Sequence, residues 1–136
     1  MDGNIENIGR NAGKIWENLH DTGSLQQRQL KNNTNLKNNE FHMAVGWLAR
    51  ENKINKSKKN NMYSIGESNI ADEIGGYAEK VWNALQDKSK KNVATIAKSS
   101  DLRPKEVYAA LGWLAREEKL QIFQDETLQT KYSLKK

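Results

Sequence analysis

The chain has no cysteine, a single proline and only two histidines. Without cysteine, disulfide bonds and thiolate metal sites are excluded, and the absence favours a cytoplasmic protein. No apolar run approaches the roughly 20 residues that a membrane-spanning helix needs. The first residues also have neither the basic nor the apolar region of a signal peptide. We therefore expect a cytoplasmic protein that has no membrane partner.

The two histidines, His20 and His42, are not at the spacing of metal ligands. No glycine-rich loop matches a phosphate-binding pattern. His42 lies near Glu40, but no nucleophile accompanies this pair. We therefore expect no enzyme, no metal site, no cofactor and no small-molecule substrate.

One stretch of six residues occurs twice. Gly-Trp-Leu-Ala-Arg-Glu stands at positions 46–51 and returns unchanged at 112–117, which is 66 positions later. With the same offset Ile8 matches Ile74 and Trp16 matches Trp82. The sequence therefore predicts a duplication, with repeat 1 over residues 1–67 and repeat 2 over residues 68–136. Domains of this size bury little surface, so we expect the repeats to lean on each other or on a second chain.

Each repeat has the same order of patterns. An apolar stripe at helical spacing comes first, and in repeat 2 it runs from Ile74 to Leu85. A short second helix, a tight polar turn and a longer third helix follow, the third with its apolar stripe from Val107 to Leu114. After Lys119 apolar residues alternate with polar ones, which predicts a β-hairpin. Repeat 1 has a shorter hairpin that ends at Ile65, and residues 66–69 form a short linker.

This order is that of a winged helix-turn-helix domain. The motif Ala-x-Gly-Trp-Leu-Ala-Arg-Glu followed by Lys-Ile/Leu, found in both repeats, resembles the signature of a small bacterial and archaeal winged helix-turn-helix family. The resemblance implies a mainly α fold with small β-hairpins, of the α+β class. It implies two tandem winged helix-turn-helix domains, each with three helices and a β-hairpin wing. It implies DNA binding only through analogy of fold.

The outer face of the third helix enters the major groove in helix-turn-helix proteins. A helical wheel places polar residues of repeat 1 on or beside that face, and asparagine, arginine and lysine are the side chains that pair with bases and phosphates. The candidate base contacts are Asn38, Asn39, His42 and Met43. The candidate phosphate contacts are Lys37 and Arg50, with Lys105 and Arg116 on the matching face of repeat 2.

The two hairpin tips differ in charge. Lys56, Lys58 and Lys59 of the first wing suit the phosphate backbone of DNA. The second wing carries Gln124-Asp125-Glu126-Thr127, which phosphates would repel. We therefore expect repeat 1 to be the better DNA contact.

Both third helices contain a glycine, Gly46 or Gly112, at a cost of roughly 0.5–1 kcal/mol relative to alanine. Because the helical wheel places it on the outer face, the glycine predicts close contact with another molecule or domain. Trp47 and Trp113 lie at the edge of the apolar stripe. These four residues are the candidate interface positions.

The net charge is +5, and it is concentrated in repeat 1: residues 1–66 hold 10 Lys and Arg against 6 Asp and Glu, and the remainder holds 12 against 11. A basic balance is compatible with nucleic acid. The first hypothesis is therefore a transcription-regulator-like protein that binds double-stranded DNA through the third helix and wing of repeat 1. The alternative is a scaffold that binds a protein partner, or a second copy of itself, and no DNA.

Overall fold

A computed structural model describes residues 3–124 and 129–135 and confirms the predicted order of elements. Repeat 1 comprises α1 Gly3–Thr22, α2 Gln27–Thr34, α3 Asn38–Arg50, β1 Ile54–Lys56 and β2 Tyr63–Ile65. Repeat 2 comprises α4 Ala71–Ala84, α5 Val93–Ser100, α6 Pro104–Arg116, β3 Leu120–Gln124 and β4 Thr130–Leu134. No helix within these described ranges is long and apolar enough to cross a membrane.

The third helix of each repeat begins in the same way. A glutamate in its first turn accepts the backbone N–H of the residue before the helix: Glu40 from Lys37 at 2.8 Å, and Glu106 from Arg103 at 2.9 Å. This bond satisfies one of the backbone groups that a helix start leaves without a partner. The preceding helix runs to Thr34 or Ser100, further into the polar stretch than the sequence predicted. A single residue in the left-handed conformation then makes the turn.

Each hairpin is a two-stranded antiparallel sheet, with Ile54 opposite Ile65 in the first and Leu120 opposite Leu134 in the second. A feature that the sequence did not predict is the bridge from the residue two positions before α2 or α5 to the second strand. Leu25 exchanges both backbone hydrogen bonds with Tyr63, at 3.0 and 2.8 Å. Lys91 does the same with Tyr132. These bridges fasten each wing to its helix-turn-helix unit.

The two repeats do not have separate cores. One cluster of buried residues joins most of the apolar side chains of repeat 2 to Ile8 and Met43. The other joins those of repeat 1 to Ile74 and Ala109. Both tryptophans of the shared motif, Trp47 and Trp113, pack against both clusters. Each repeat therefore completes its core with side chains of the other.

The third helices α3 and α6 cross at their glycines. Gly46 lies so close to the backbone of Ala109 that an added Cβ would overlap the Ala109 carbonyl oxygen and come within 2.7 Å of its carbon. Gly112 makes the corresponding contact with Met43. Since Met43 and Ala109 are equivalent positions of the two repeats, the contact is isologous, as in a twofold dimer.

Candidate nucleic-acid interface

The two arginines of the repeated motif are engaged across the repeat boundary. Arg50 Nε donates to Glu117 Oε2 at 3.0 Å, and Arg116 Nε donates to Glu51 Oε2 at 3.0 Å. The Arg50 guanidinium also lies 5.7 Å from the ring centre of Trp113, and that of Arg116 lies 5.8 Å from Trp47. The arginines and tryptophans of the motif therefore lie between the repeats, as do the two glycines at the helix crossing. The glycines and tryptophans are the residues that the sequence proposed as interface positions. Arg50 and Arg116 remain partly exposed, but each already has a carboxylate partner.

Met43 requires a correction. The sequence placed it among the base contacts, yet its side chain is only 6% exposed. The outer face of α3 is where α6 crosses, so Met43 packs in the core of repeat 2. Its burial is incompatible with contact to a base edge.

The structure separates Asn38 from its neighbour Asn39. Asn39 is exposed and lies in a cleft of about 200 Å³ against the wing of repeat 2, near Gln124 and Tyr132. Asn38 lies on the opposite flank of the helix crossing, in a cleft of about 330 Å³ that we call the His42 cleft. The side chains that define it include Asn38, His42, Lys56, Tyr63, Tyr77 and Lys105.

The His42 cleft is built from both repeats. α3 contributes Asn38 and His42, the first wing contributes Lys56, and the N-terminal end of α6 contributes Lys105. Burial lowers the pKa of His42 from 6.5 to about 4, and the positive charges of Lys105, Lys31 and Lys56 add to the effect. Three ammonium groups from α2, β1 and α6 therefore act on a single neutral imidazole.

Lys56 is held in place by the linker between the repeats. The Lys56 backbone N–H donates to Asn69 Oδ1 at 2.9 Å, and Asn69 Nδ2 donates back to the Lys56 carbonyl at 2.7 Å. The Lys56 ammonium lies 5.3 Å from the ring centre of Tyr63. On the other side, Lys31 Nζ donates to Asn38 Oδ1 at 3.1 Å. The Lys31 ammonium and the Lys56 backbone are thus held by short polar contacts.

Two carboxylates also line the cleft, and both are engaged. Glu73 accepts the Tyr77 hydroxyl at 2.7 Å. The backbone N–H of Arg103 is the main reason why the pKa of Glu106 lies below its ordinary value. Burial and hydrogen bonds to these two carboxylates raise the pKa of Tyr77. Lys56 and Lys105, in contrast, make no ion pair with any residue that the structure describes.

The duplication supplies an internal comparison for this cleft. With the offset of 66, His42 corresponds to Tyr108, and the three lysines at 31, 56 and 105 correspond to Ala97, Ile122 and Asn39. The pseudo-equivalent cleft beside Asn39 therefore has none of these charges. Positive charge gathers on one of the two related flanks of the molecule.

The remaining candidates are exposed lysines that are close in sequence to residues of the His42 cleft. Lys37 is exposed immediately before α3, and Lys58 and Lys59 are exposed in the turn of the first wing. Sequence reasoning missed Lys31, Tyr77 and Arg103 as lining or charged groups of the site, because no local pattern indicates how α6 crosses α3. The acidic residues Asp125 and Glu126 of the second wing lie outside the described residues.

The lowered pKa of His42 makes stability depend on pH. As the pH falls below about 6.5, the imidazole takes up a proton in the unfolded chain but not in the folded one, so the free energy of unfolding decreases down to a pH of about 4. We expect His42→Gln to make this decrease smaller. The control His20→Gln, at an exposed position, should leave the decrease unchanged. Urea denaturation at several pH values measures the effect. An equal slope for the His42→Gln variant and the original chain would contradict it.

A helix-turn-helix followed by a two-stranded wing, present twice, defines the molecule as a tandem winged helix-turn-helix protein. The family described as "Winged helix-turn-helix domain (DUF2582)" matches residues 1–66 and again residues 69–132, and the chain belongs to this family. No curated protein and no solved structure matches the chain.

Proposed function

We propose that the protein binds the phosphate backbone of double-stranded DNA. The contact surface is the basic flank, by which we mean the His42 cleft with Lys31, Lys56 and Lys105, and the adjoining wing of repeat 1. The observation that carries this proposal is that Lys56 of repeat 1 and Lys105 of repeat 2 line one cleft, beside which Lys31 donates to Asn38. The exposed residues Lys58 and Lys59 extend the positive charge along the wing. Lysine neutralises phosphates and releases counterions, which is the main source of affinity for sequence-independent binding.

The proposed mode differs from insertion of the whole third helix into the major groove. The middle of α3 is covered by α6, because Gly46 and Met43 face that helix. Its N-terminal end, with Lys37 and Asn38, is exposed, and Asn38 lines the His42 cleft. Phosphate contacts fix position and orientation, and Asn38 is the residue placed to reach a base edge. In this proposal the protein acts as a regulator by binding, without catalysis.

The alternative of a protein scaffold relied on the smooth glycine-containing faces of the third helices and on the acidic second wing. In the structure these two faces cover each other. These faces are therefore not surfaces for a further partner, which favours the DNA proposal. The tip of the second wing lies outside the described residues.

Charge reversal on the wing tests the proposal. We expect the triple substitution of Lys56, Lys58 and Lys59 by Glu to weaken binding to a short duplex of mixed sequence. The plot of log affinity against log salt concentration should become less steep by about 0.9 for each phosphate that the variant no longer neutralises. Fluorescence anisotropy over a series of salt concentrations measures both quantities.

A matched control is available on the other helices. Lys14, Lys80 and Lys98 are exposed on α1, α4 and α5, and their replacement by Glu makes the same change in net charge. We expect this control to retain most of the affinity and the original salt slope. If both triple variants lose affinity equally, the effect belongs to net charge and not to the basic flank. If the original chain binds no duplex at low salt, the proposed function is wrong.

A further inference from the structure

The ring of His42 occupies an unusual position inside the His42 cleft. It packs edge-on against Phe41, with ring centres 5.4 Å apart and an interplanar angle of 81°. Within the described part of the chain its ring nitrogens make no hydrogen bond, although the side chain is partly buried. Since no buried side-chain nitrogen or oxygen of the described residues lacks a partner, the ring nitrogens of His42 must reach solvent. They are therefore accessible to a ligand in the cleft.

The charges around this ring define the chemistry of that ligand. Lys56 and Lys105 line the cleft from β1 and α6, and Lys31 of α2 lies beside it, where its ammonium donates to Asn38. Three cations held together repel one another, and an anion between them relieves that repulsion. The Lys31 ammonium is already directed by Asn38, and the backbone of Lys56 is fixed through Asn69, so part of the ordering that binding needs is already present. A volume of about 330 Å³ is ample for a compact tetrahedral oxyanion.

We propose that the His42 cleft binds one phosphate-type oxyanion, held by Lys31, Lys56 and Lys105 and by a hydrogen bond from His42. Burial and the nearby positive charges keep the imidazole neutral, and the anion offsets these charges, so His42 takes up a proton when the anion binds. Binding and proton uptake are consequently linked, and affinity for the anion rises as the pH falls.

The other charged groups of the cleft restrict where the anion sits. Glu73 and Glu106 face it from α4 and α6 and would repel an anion, while Arg103 compensates part of that charge. Tyr77 lies between the two carboxylates and donates to Glu73. The oxyanion therefore belongs at the side lined by His42 and Lys56, away from Tyr77.

Two sources supply this chemistry. One is a backbone phosphate of DNA, in which case the inference rests on the proposed function and places one phosphate at a defined point. The other is a small phosphorylated molecule that binds independently of DNA. Competition between an inorganic oxyanion and a duplex at the His42 ring distinguishes them.

Sulfate is the first probe, because it has the shape of phosphate and its charge does not change near neutral pH. Nuclear magnetic resonance of the His42 ring in the full chain follows both binding and protonation. We expect sulfate to shift the His42 signals, to raise the pKa of His42 and to bind more tightly at pH 5.5 than at pH 7.5, as this linkage requires. We expect Lys105→Ala to weaken sulfate binding roughly tenfold, the size of one charge-assisted hydrogen bond. Lys98→Ala, which removes an exposed lysine of α5, should leave it unchanged.

The variant His42→Gln tests whether protonation of His42 causes the pH dependence of sulfate binding. This variant keeps a polar side chain but cannot titrate, so sulfate affinity should lose most of its pH dependence. If sulfate does not shift the His42 signals, or if Lys105→Ala and Lys98→Ala behave alike, the proposed site does not exist.

A short duplex is the second probe. If the duplex shifts the His42 signals and sulfate competes with it, the ligand is a DNA phosphate. If sulfate binds at His42 and the duplex does not bind at all, the inference stands with a free ligand while the proposed function fails. If the duplex binds and neither it nor sulfate affects His42, the proposed function stands and the inference is overturned.

Discussion

Gly46→Ala is expected to lower the free energy of unfolding by about 3 kcal/mol or more, toward the upper end of what overpacking costs. The added Cβ would overlap the carbonyl oxygen of Ala109 and lie 3.0 Å from its Cα. Both are backbone atoms of another helix, so no side chain can move aside to make room. The helices α3 and α6 must separate, and the two shared cores open with them. Gly112→Ala meets Met43 in the same way and should cost a similar amount.

Two other glycines are matched controls for this substitution. Gly13 and Gly76 lie within α1 and α4, and a Cβ added at either would meet nothing within 4 Å. Alanine is the better helix former by roughly 0.5–1 kcal/mol, so Gly13→Ala and Gly76→Ala should raise stability by about that amount. Glycine-to-alanine substitution is therefore expected to lower the free energy of unfolding at one pair of positions and to raise it at the other. Urea denaturation followed by circular dichroism measures all four variants, and a stable Gly46→Ala protein would disprove the close crossing of the helices.

The crossing also explains which part of the site was accessible to sequence reasoning. A glycine inside a helix indicated close approach, and the helical wheel indicated the outer face. Neither pattern identifies the segment that approaches the glycine, because the partner of Gly46 is Ala109, in the other repeat. Met43 was assigned to DNA for this reason: it lies on the outer face of its own domain, and that face is internal in the whole molecule.

Local patterns succeeded where the structure is local. Apolar spacing and turn residues predicted every helix and both hairpins in their order, since these elements depend on neighbours in the chain. The His42 cleft depends on α2, α3, α6 and the first wing meeting in space. Lys31 and Lys105 are 74 positions apart and have no pattern in common. The duplication helps only after the crossing is known, because it then shows that the related cleft lacks the lysines.

The shared motif thus has a structural role that accounts for its identity in the two repeats. Glycine permits the crossing, arginine pairs with the glutamate of the other copy, and tryptophan packs against both cores. A twofold contact requires each of these residues twice. The residues that differ between the repeats, such as Lys105 against Asn39, surround the contact and carry the difference in charge. The identical centre and the divergent flanks therefore have separate roles.

Trp47→Ala is expected to give the second large effect, a loss of about 3 kcal/mol in the free energy of unfolding. An edge of the ring lies against α1, where a Cβ added to Gly9 would come within 3.1 Å of it, and the Arg116 guanidinium of repeat 2 lies near the same ring. Because Trp47 packs against both clusters, its removal leaves a cavity at their junction and destabilises both repeats.

Trp82→Ala is the control for this prediction, since Trp82 is 40% exposed on α4 and its removal should cost clearly less. Hydrogen exchange of the amides in α3 and α6 tests whether the repeats are coupled. In the Trp47→Ala variant, protection should fall in both helices by a similar factor, because the helices share their cores. Loss of protection in α3 alone would show that the repeats unfold as separate domains. It would also mean that the His42 cleft opens when repeat 1 unfolds, while Lys105 stays in a folded repeat 2.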